Sequence, residues 1–329
     1  MRYFKLLSMI MFVAGLTACE KLIPYEDIES EPLLVVNGIQ HVGEPAHLSV
    51  ERSSFYIESE KDFRVKDLHV DLYVNGAFKE TLQVRDSMIM ETYITIDGNG
   101  YEHEEETIRY AFNYCEGEYI LCEGDALRFE VSSSEFDEVA VAETTIPYAP
   151  NVVSFDTVRI EENGEGYYAD YHQVYFALTL DDPAGKDYYN LYPKEGFEYY
   201  NSFYSSDPVF ADFMNIVHID DLFGGSEYIG RGEYNMFNDS YFDGKRYAVS
   251  LYTNTYIEDG QDMEPYVMEV SKVDYNLYQF KKSYAAYDYN DDLIGLFTEP
   301  SQVYSNVQNG VGVVCSQSLP VTVTVDLSK

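Results

Sequence analysis

Short runs in which apolar and polar residues alternate dominate the first half of the chain. One such run extends from Leu68 to Val74 and is followed directly by Asn75-Gly76. An Asn-Gly pair next to alternating runs is the strongest short-range signal of a β-hairpin, because both residues tolerate positive φ. Further strand-like runs lie at 33–36, 48–50, 78–84, 108–112, 127–131 and 139–146. Short strands separated by turns, with no helix between them, predict a β-sandwich over residues 33–148.

The second half of the chain is also predicted to be mainly β, with one helix. A stiff connector at 146–150 contains two prolines, so we place the domain boundary there and the second, antiparallel β domain at 151–329. Its predicted strands lie at 174–180, 247–251, 266–270 and 321–327. A packing helix near 271–287 is predicted, because apolar side chains recur at helical spacing and Ser271 with Asp274 forms a capping-box pattern. The apolar positions of this helix are Val273, Leu277, Phe280 and Tyr284.

The first nineteen residues have the layout of a secretory signal that ends at a cysteine. Arg2 and Lys5 precede an apolar run that is too short to cross a bilayer as a permanent helix. The run ends in Leu16-Thr17-Ala18-Cys19, which resembles the lipobox of bacterial lipoproteins, where the cysteine thiol is lipidated and the chain is cut before it. We predict a signal peptide at 1–18 and lipidation of Cys19. The alternative is an ordinary cleaved signal followed by a chance cysteine.

Residues 19–32 are predicted to form an acidic tether behind the lipidated cysteine. Acidic residues at this place resemble the surface-export signal of Bacteroidetes lipoproteins, so we expect an outer-membrane protein that faces the cell surface rather than the periplasm. The alternative is a simple solvated linker. The acidic residues are Glu20, Glu26, Asp27, Glu29 and Glu31.

Composition narrows the classes of partner. The formal net charge of −37 repels nucleic acid and anionic headgroups. The chain has 33 tyrosines, 19 phenylalanines and no tryptophan, which favours strands. Tyrosine-rich surfaces also suit contacts with sugars or peptides. A platform at Tyr199, Tyr200 and Tyr204 would serve a stand-alone glycan- or peptide-binding protein.

No metal site is predicted, although three features leave alternatives open. Asn238, Asp239 and Asp243, and separately 288–292, cluster oxygen ligands of the kind that calcium prefers, but neither stretch has EF-hand spacing, so ordinary turns are favoured. A local disulfide between Cys115 and Cys122 is possible and would leave Cys315 as an odd thiol. The glycines of 310–312 allow close approach to a partner or a simple bend in a strand.

No catalytic residue and no cofactor site can be nominated. The chain has neither a Gly-x-Ser-x-Gly elbow nor a phosphate-binding glycine loop. His103 and the three glutamates after it lack the second histidine of a zinc helix, and we expect them in an exposed loop before the strand at Ile108. We therefore predict that the protein is not an enzyme. A hydrolase whose residues follow no recognisable motif is the third alternative.

Several segments resemble the domain-of-unknown-function 4249 family of Bacteroidetes outer-membrane lipoproteins. The resemblance covers nearly the whole mature chain, but the segment with Cys115 and Cys122 does not belong to the family pattern. It implies an immunoglobulin-like N-terminal part and a gene near TonB-dependent transporters, and it implies no activity. We thus expect a non-enzymatic accessory or ligand-presenting partner of such a transporter. The segments are 31–38, 142–147, 237–245, 270–275 and 304–312.

Overall fold

Strands make up most of the chain in the computed structural model, which confirms the mainly β fold class with one packing helix. Residues Leu33–Lys329 form one of two contact units, and the other is Met1–Pro32. The structure describes residues 31–54, 62–96, 102–163, 171–197, 202–214, 228–231, 235–256, 265–291 and 302–327.

Among the described residues, eight strands precede residue 150. They are β1 (Leu34–His41), β2 (Pro45–Arg52), β3 (His69–Val74), β4 (Ala77–Thr81), β5 (Gln83–Ile96), β6 (Glu102–Ile120), β7 (Ala126–Ser132) and β8 (Ala140–Thr145). The predicted hairpin is confirmed, since Asn75 and Gly76 connect β3 to β4 with φ of 53° and 80°. The segment around His103, expected in a loop, lies instead in β6, which extends much further than the apolar pattern alone indicates.

The described residues of the second half form eleven strands and two α-helices. The strands are β9 (Val152–Asn163), β10 (Tyr171–Asp181), β11 (Tyr188–Glu195), β12 (Ser202–Ser205), β13 (Tyr228–Arg231), β14 (Met236–Asn238), β15 (Arg246–Tyr256), β16 (Tyr266–Val273), β17 (Val307–Gln308), β18 (Val314–Gln317) and β19 (Val321–Val325). The helices are α1 (Ala211–Met214), which follows a 3₁₀ turn at Pro208–Phe210, and α2 (Tyr275–Asp291).

One nine-stranded sheet runs through both halves of the chain. Its order is β14-β11-β16-β18-β1-β2-β6-β5, and β19 also pairs with β16. A five-stranded sheet, β17-β8-β7-β3-β4, accompanies its N-terminal strands, and another, β13-β12-β15-β10-β9, accompanies its C-terminal strands. β18 lies parallel to β1, with Gly38 opposite Val314, whereas the other ladders are antiparallel.

Two clusters of buried side chains fill the spaces beside this long sheet. The aliphatic core is built from strands β1, β2, β6, β3, β7 and β8, and it contains Leu48, Leu72 and one phenylalanine, Phe129. The aromatic core contains β10, β11, β15 and β16 together with α2, and it is rich in phenylalanine and tyrosine. Strand β18 serves both cores, because Val314 belongs to the first and Cys315 to the second.

The predicted domain boundary near residue 150 stays a prediction, but the strands on its two sides share a sheet. β17 pairs with β8, and β18 pairs with β1, so a segment from beyond residue 300 completes the N-terminal sandwich. Alternation along 33–148 cannot reveal strands that arrive from so far along the chain. The immunoglobulin-like topology likewise stays a prediction.

The helix begins at Tyr275, later than the predicted start near 271. Ser271 lies in β16, where backbone pairing with Asn190 of β11 keeps it extended. Asp274 is therefore the N-cap: its Oδ1 accepts a hydrogen bond of 2.9 Å from Leu277 N. Leu277, Tyr278 and Ala285 are buried in the helix, while Tyr284, expected on the apolar face, is exposed. Within the part of the chain that the structure describes, no helix has the length and apolar character that a membrane span requires.

Candidate functional site

The predicted lipid anchor lies outside the described residues. The signal peptide at 1–18, Cys19 and nearly all of the acidic tether at 19–32 belong to this part of the chain. Their assignment therefore stays a prediction from the sequence.

Segments that carry the family resemblance meet at a polar seam, formed by Thr144, Asp274, Asn276, Asn306 and Ser316. Thr144 Oγ1 lies 2.7 Å from Asp274 Oδ2 and 2.9 Å from Ser316 Oγ. Ser316 Oγ donates to the carbonyl oxygen of Thr145 at 2.8 Å. The seam thus joins β8 to the start of α2 and to β18, whose contacting residues lie 130 and 172 positions further along the chain.

The two asparagines of the seam hold backbone groups rather than an open site. Asn306 Oδ1 accepts from Val314 N at 2.9 Å, and its Nδ2 donates to Val314 O at 2.8 Å. Asn276 Nδ2 donates to Glu143 O at 3.0 Å and to Asp274 Oδ2 at 2.9 Å, and Tyr304 Oη donates to Asn276 Oδ1 at 2.9 Å. Burial raises the pKa of the Asp274 carboxyl, and hydrogen bonds from Leu277 N and Thr144 offset part of the rise. The arrangement fixes the fold and leaves little hydrogen-bonding capacity for a ligand.

The two glycines at 310 and 312 approach the chain's own backbone. A Cβ at position 312 would collide with the carbonyl oxygen of Val36, and one at position 310 would lie 2.7 Å from Leu34 O. Val311 N donates to Leu34 O, and Val36 N donates to Val311 O, each at 2.9 Å. The hypothesis of close approach to a partner is therefore wrong, since β1 occupies that place.

Three carboxylates come together in an acidic turn, which we define as Asp182, Asp239 and Asp243. One oxygen from each lies within 4.8 Å of the others. Asp239 and Asp243 belong to a stretch for which the sequence left calcium open but favoured an ordinary turn, and Asp182 was not considered because it comes from a different turn. Asn238, the third residue of that hypothesis, instead donates to Tyr278 Oη at 3.0 Å and so belongs to another contact.

Hydrogen-bond donors already engage four of the six oxygens of the acidic turn. Asp182 accepts from Tyr189 Oη and, at 2.9 Å, from Gly244 N. Asp187 N donates to Asp239 at 2.9 Å, and Gly185 N donates to Asp243 at 2.9 Å. The turn could offer oxygens to a cation, but these donors give each carboxylate a structural role without one.

Burial raises the pKa of Asp239, and the charges of Asp182 and Asp187 add to the rise, although a backbone hydrogen bond from Asp187 opposes it. Close by, Lys272 Nζ pairs with Asp187 Oδ2 at 2.7 Å, and only 5% of the lysine side chain is exposed. The same ammonium lies 5.3 Å from the centre of the Tyr189 ring. This ion pair places a compensating positive charge beside the acidic turn.

The other stretch considered for calcium, 288–292, is helical as far as Asp291, and the side chains at its positions are outside the description. Tyr199 and Tyr200 of the predicted aromatic platform also lie outside the described residues. Tyr204 is half-buried and stacks on Tyr252, with ring centres 5.2 Å apart. Tyr252 in turn packs on Tyr175, whose other neighbour is Arg159 at 3.9 Å. These side chains cover one another's ring faces, so the stack gives the sugar-platform hypothesis little support.

The described cysteines are free thiols. Cys115 and Cys315 are buried, and Cys122 is exposed, so the disulfide considered between Cys115 and Cys122 does not form. Burial raises the pKa of Cys115 to about 12, which keeps the thiol protonated and unreactive.

A cleft of about 360 Å³, which no sequence pattern predicted, lies between α2 and the nine-stranded sheet. Lys194 pairs with Glu269 across it at 3.3 Å, and Gln317 donates to Ser271 Oγ at 2.8 Å. Its described lining contains no histidine, cysteine or aspartate, and its serine and glutamate are held by Gln317 and Lys194. The lining residues are Ile39, Asn190, Tyr192, Lys194, Met236, Glu269, Ser271, Leu277, Lys281, Gln317 and Pro320.

Comparisons with known proteins give one family and no activity. A family model described as "Domain of unknown function (DUF4249)" matches residues 20–319. No curated protein matches the chain. A solved structure described as "Putative membrane anchored protein from Corynebacterium diphtheriae" is similar at 8% identity and a TM-score of 0.19, over 75% of this chain and 55% of that one. The chain thus spans little more than half of that protein, and so low a TM-score carries no argument about fold or function.

Proposed function

The chain belongs to the DUF4249 family, and we propose that it is a Bacteroidetes-type lipoprotein, anchored in the outer membrane through acylated Cys19. In this proposal it is not an enzyme: it assists a TonB-dependent transporter, by docking on it or by presenting a ligand to it. The observation that carries the proposal is Leu16-Thr17-Ala18-Cys19 at the end of the apolar leader. The family match begins at residue 20, directly after this cysteine.

The physics of the anchor supports attachment without a membrane-spanning segment. Each methylene buried in the bilayer contributes about 0.8 kcal/mol, and two or more acyl chains on one cysteine hold a protein stably. The acidic tether would keep the β body in solvent, and we place that body on the cell surface. Protease treatment of intact cells tests this orientation: digestion supports the surface, and protection until the outer membrane is opened contradicts it.

The absence of an activity is supported by how the described polar clusters are used. The seam hydrogen-bonds backbone groups of β8, α2 and β18, and the acidic turn accepts from nearby backbone amides. Side chains that hydrogen-bond to the protein's own backbone stabilise its strands and turns. A role in binding therefore accounts for them better than a role in catalysis.

The anchor is tested by replacing Cys19 with serine in the full-length precursor. The parent should incorporate radiolabelled palmitate and fractionate with the outer membrane, while Cys19→Ser should lose the label and leave the membrane fraction. Cys122→Ser is the matched control, because Cys122 is an exposed thiol and should be dispensable. An unlabelled parent, with Cys19→Ser still in the membrane, contradicts the proposal.

The partner is tested by pull-down of the lipidated protein from detergent-solubilised outer membranes. A TonB-dependent transporter should be recovered with it and identified by mass spectrometry. Recovery of the lipoprotein alone, under conditions in which other outer-membrane complexes survive, contradicts an accessory role.

A further inference from the structure

The cleft between α2 and the nine-stranded sheet has a polar floor, built mainly from paired positions of β11 and β16. Asn190 lies opposite Ser271, and Tyr192 lies opposite Glu269. Because alternate side chains of a strand share a face and paired residues project to the same side, these four side chains lie together on one face of the sheet. Gln317 joins them from β18, the next strand of the sheet. The cleft therefore presents a contiguous set of hydrogen-bonding groups.

A polar floor at this place is unusual, because a helix lies over it. Sheet faces that pack against helices are normally apolar, since the two elements bury apolar surface against each other. Leu277 of α2 supplies such a contact, but Lys281, one turn further along, also lines the cleft. Ser271 is only 3% exposed, and the side chain of Glu269 is 28% exposed. Packing of α2 does not explain these polar groups, whereas a polar ligand does.

The charges of the cleft favour a neutral ligand. Lys194 pairs with Glu269 at 3.3 Å, so an anion gains little from this lysine and is repelled by the net charge of −37 on the chain. A cation would meet both Lys194 and Lys281, which line the same cleft. A neutral polar molecule avoids both kinds of repulsion.

The unused hydrogen-bonding capacity of the floor matches hydroxyl groups. A side-chain amide presents donors and an acceptor side by side, and a hydroxyl can both donate and accept. The Asn190 amide has no hydrogen-bond partner among the described residues, and Gln317 uses its amide nitrogen on Ser271, which leaves its carbonyl oxygen to accept. The Lys194 ammonium lies 4.8 Å from the centre of the Tyr192 ring, yet Tyr192 is still 41% exposed. An exposed aromatic ring beside such groups suits a molecule that carries hydroxyls on an apolar C–H framework.

We propose that this cleft binds a neutral carbohydrate, held by Asn190, Gln317 and the pair of Lys194 and Glu269, and packed on the ring of Tyr192. The cleft volume of about 360 Å³ lies near the lower end of the range for small-molecule sites, about 300–1,000 Å³, so it takes one or two sugar units. The inference rests on the proposed function, because it names the class of ligand that the lipoprotein would present.

The test uses the full chain, purified in a detergent without a sugar headgroup, and a panel of neutral disaccharides. The panel contains maltose, cellobiose, lactose, mannobiose and diacetylchitobiose. Saturation-transfer NMR selects the disaccharide that binds, and titration calorimetry measures its affinity. Its dissociation constant should be millimolar or lower.

Two charged disaccharides are the controls for the charge argument: digalacturonate is an anion, and chitobiose, the deacetylated form of a panel member, is a cation. The selected neutral disaccharide should bind at least tenfold more tightly than either. The absence of neutral binding at millimolar concentration, or tighter binding of a charged disaccharide, overturns the proposal.

The position of the sugar is tested with Asn190→Leu and Tyr192→Ala in the cleft. Tyr241→Ala is the matched control, because Tyr241 is 56% exposed in a turn and does not line the cleft. Each cleft variant should weaken binding of the selected disaccharide at least tenfold, and the control less than twofold. Equal weakening by Tyr192→Ala and Tyr241→Ala would place the sugar elsewhere and overturn the proposal.

A second readout needs no substitution, so it remains decisive if a cleft variant fails to fold. In protein that carries ¹³C in its methionine methyl groups, the bound disaccharide should shift the signal of Met236, which lines the cleft. The signal of Met88, an exposed residue of β5, should stay unchanged. An unmoved Met236 signal at saturating disaccharide overturns the proposal.

Two further outcomes separate this proposal from the accessory function. A transporter recovered in the pull-down, with no disaccharide bound by the lipoprotein, overturns the cleft site alone. A disaccharide bound in the cleft, with no transporter recovered, overturns the accessory function and leaves the cleft site standing.

Discussion

The aliphatic core and the aromatic core are built beside the same sheet but are filled differently. Among the described residues, Phe129 is the one buried aromatic side chain of the first, while eleven phenylalanines and tyrosines are buried in the second. Phe176 alone contacts the rings of Phe155, Phe197 and Tyr266 at 5.2, 5.8 and 4.8 Å. Ring pairs prefer particular angles, so the aromatic core depends on geometry as well as on buried area.

The same contrast explains why the first core is easier to predict. Valine and leucine alternate with polar residues along its strands, so that sequence period and burial agree. In the aromatic core, tyrosines occur on buried and exposed positions alike, as Tyr189 and Tyr192 of β11 illustrate. A tyrosine-rich sequence therefore carries a weaker burial signal than an aliphatic one.

The largest effect is expected where the chain returns to the aliphatic core. Gly312→Ala places a Cβ against the carbonyl oxygen of Val36 at a φ of +116°, so we expect a loss of about 4 kcal/mol or more in the free energy of unfolding. Urea denaturation measures it. Gly43→Ala is the control, since φ is +83° there but no atom lies within 4 Å of the new Cβ, and it should cost about 1 kcal/mol. An equal loss of stability in the two variants would contradict the role of close packing at position 312.

The ion pair of Lys272 and Asp187 gives a second comparison. Lys272 is the one buried lysine or arginine among the described residues. Lys272→Met leaves Asp187 without its cation, and we expect a loss of about 3 kcal/mol. Lys194→Met, at an exposed pair with Glu269, should cost less than about 1 kcal/mol. Thermal unfolding of the two variants compares them directly. A Lys272→Met protein as stable as the wild type would show that the pair contributes nothing net.

Ring geometry is tested by one substitution made in each core. Phe176→Leu keeps an apolar side chain but removes three ring contacts, so we expect a loss of about 2 kcal/mol. Phe129→Leu should cost about 1 kcal/mol, since the structure shows no ring against Phe129 within the described residues. Chemical denaturation under identical conditions gives the difference. A larger cost at position 129 would mean that ring contacts do not distinguish the cores.

The smallest effect is expected at the seam between the cores, and it depends on pH. Burial raises the pKa of Asp274 above its unfolded value, so its protonated form is favoured in the fold, and stability is lost as pH rises from about 4 through the folded pKa. Asp274→Asn does not titrate. The stability of the wild type relative to this variant should therefore fall as pH rises above about 4.

Asp62→Asn supplies the control of opposite sign. The hydrogen bond from Arg64 lowers the pKa of Asp62 to about 2, so its contribution is present above the unfolded pKa and is lost as pH falls. The stability of the wild type relative to Asp62→Asn should therefore rise with pH between about 2 and 4. Thermal melts at a series of pH values check both slopes. Parallel slopes for the two variants would contradict the assignment at Asp274.

Local sequence patterns predicted turns and single strands, but they did not predict which distant strands pair with one another. The Asn75-Gly76 hairpin and the strands of the aliphatic core follow from turn chemistry and alternation. The start of α2 was placed too early, because Ser271 fits a capping pattern that the pairing of β16 with β11 overrides. Asp182 could not be joined to Asp239 and Asp243 without the fold, since only tertiary structure brings the two turns together. At 310–312 the glycines left close approach and a simple bend open, and only the fold shows that β1 is the neighbour.

The parallel pairing of β1 with β18 limits how early in its synthesis the chain can fold. Gly38 finds its partner only when Val314 has been synthesised, so a ribosome-bound fragment cannot complete the N-terminal sandwich. Contacts between such distant residues make folding slow. A secreted polypeptide that stays unfolded while it is being made remains threadable through a narrow export channel. If the chain is exported as proposed, delayed closure of its first sandwich would keep it threadable until it has crossed the membrane.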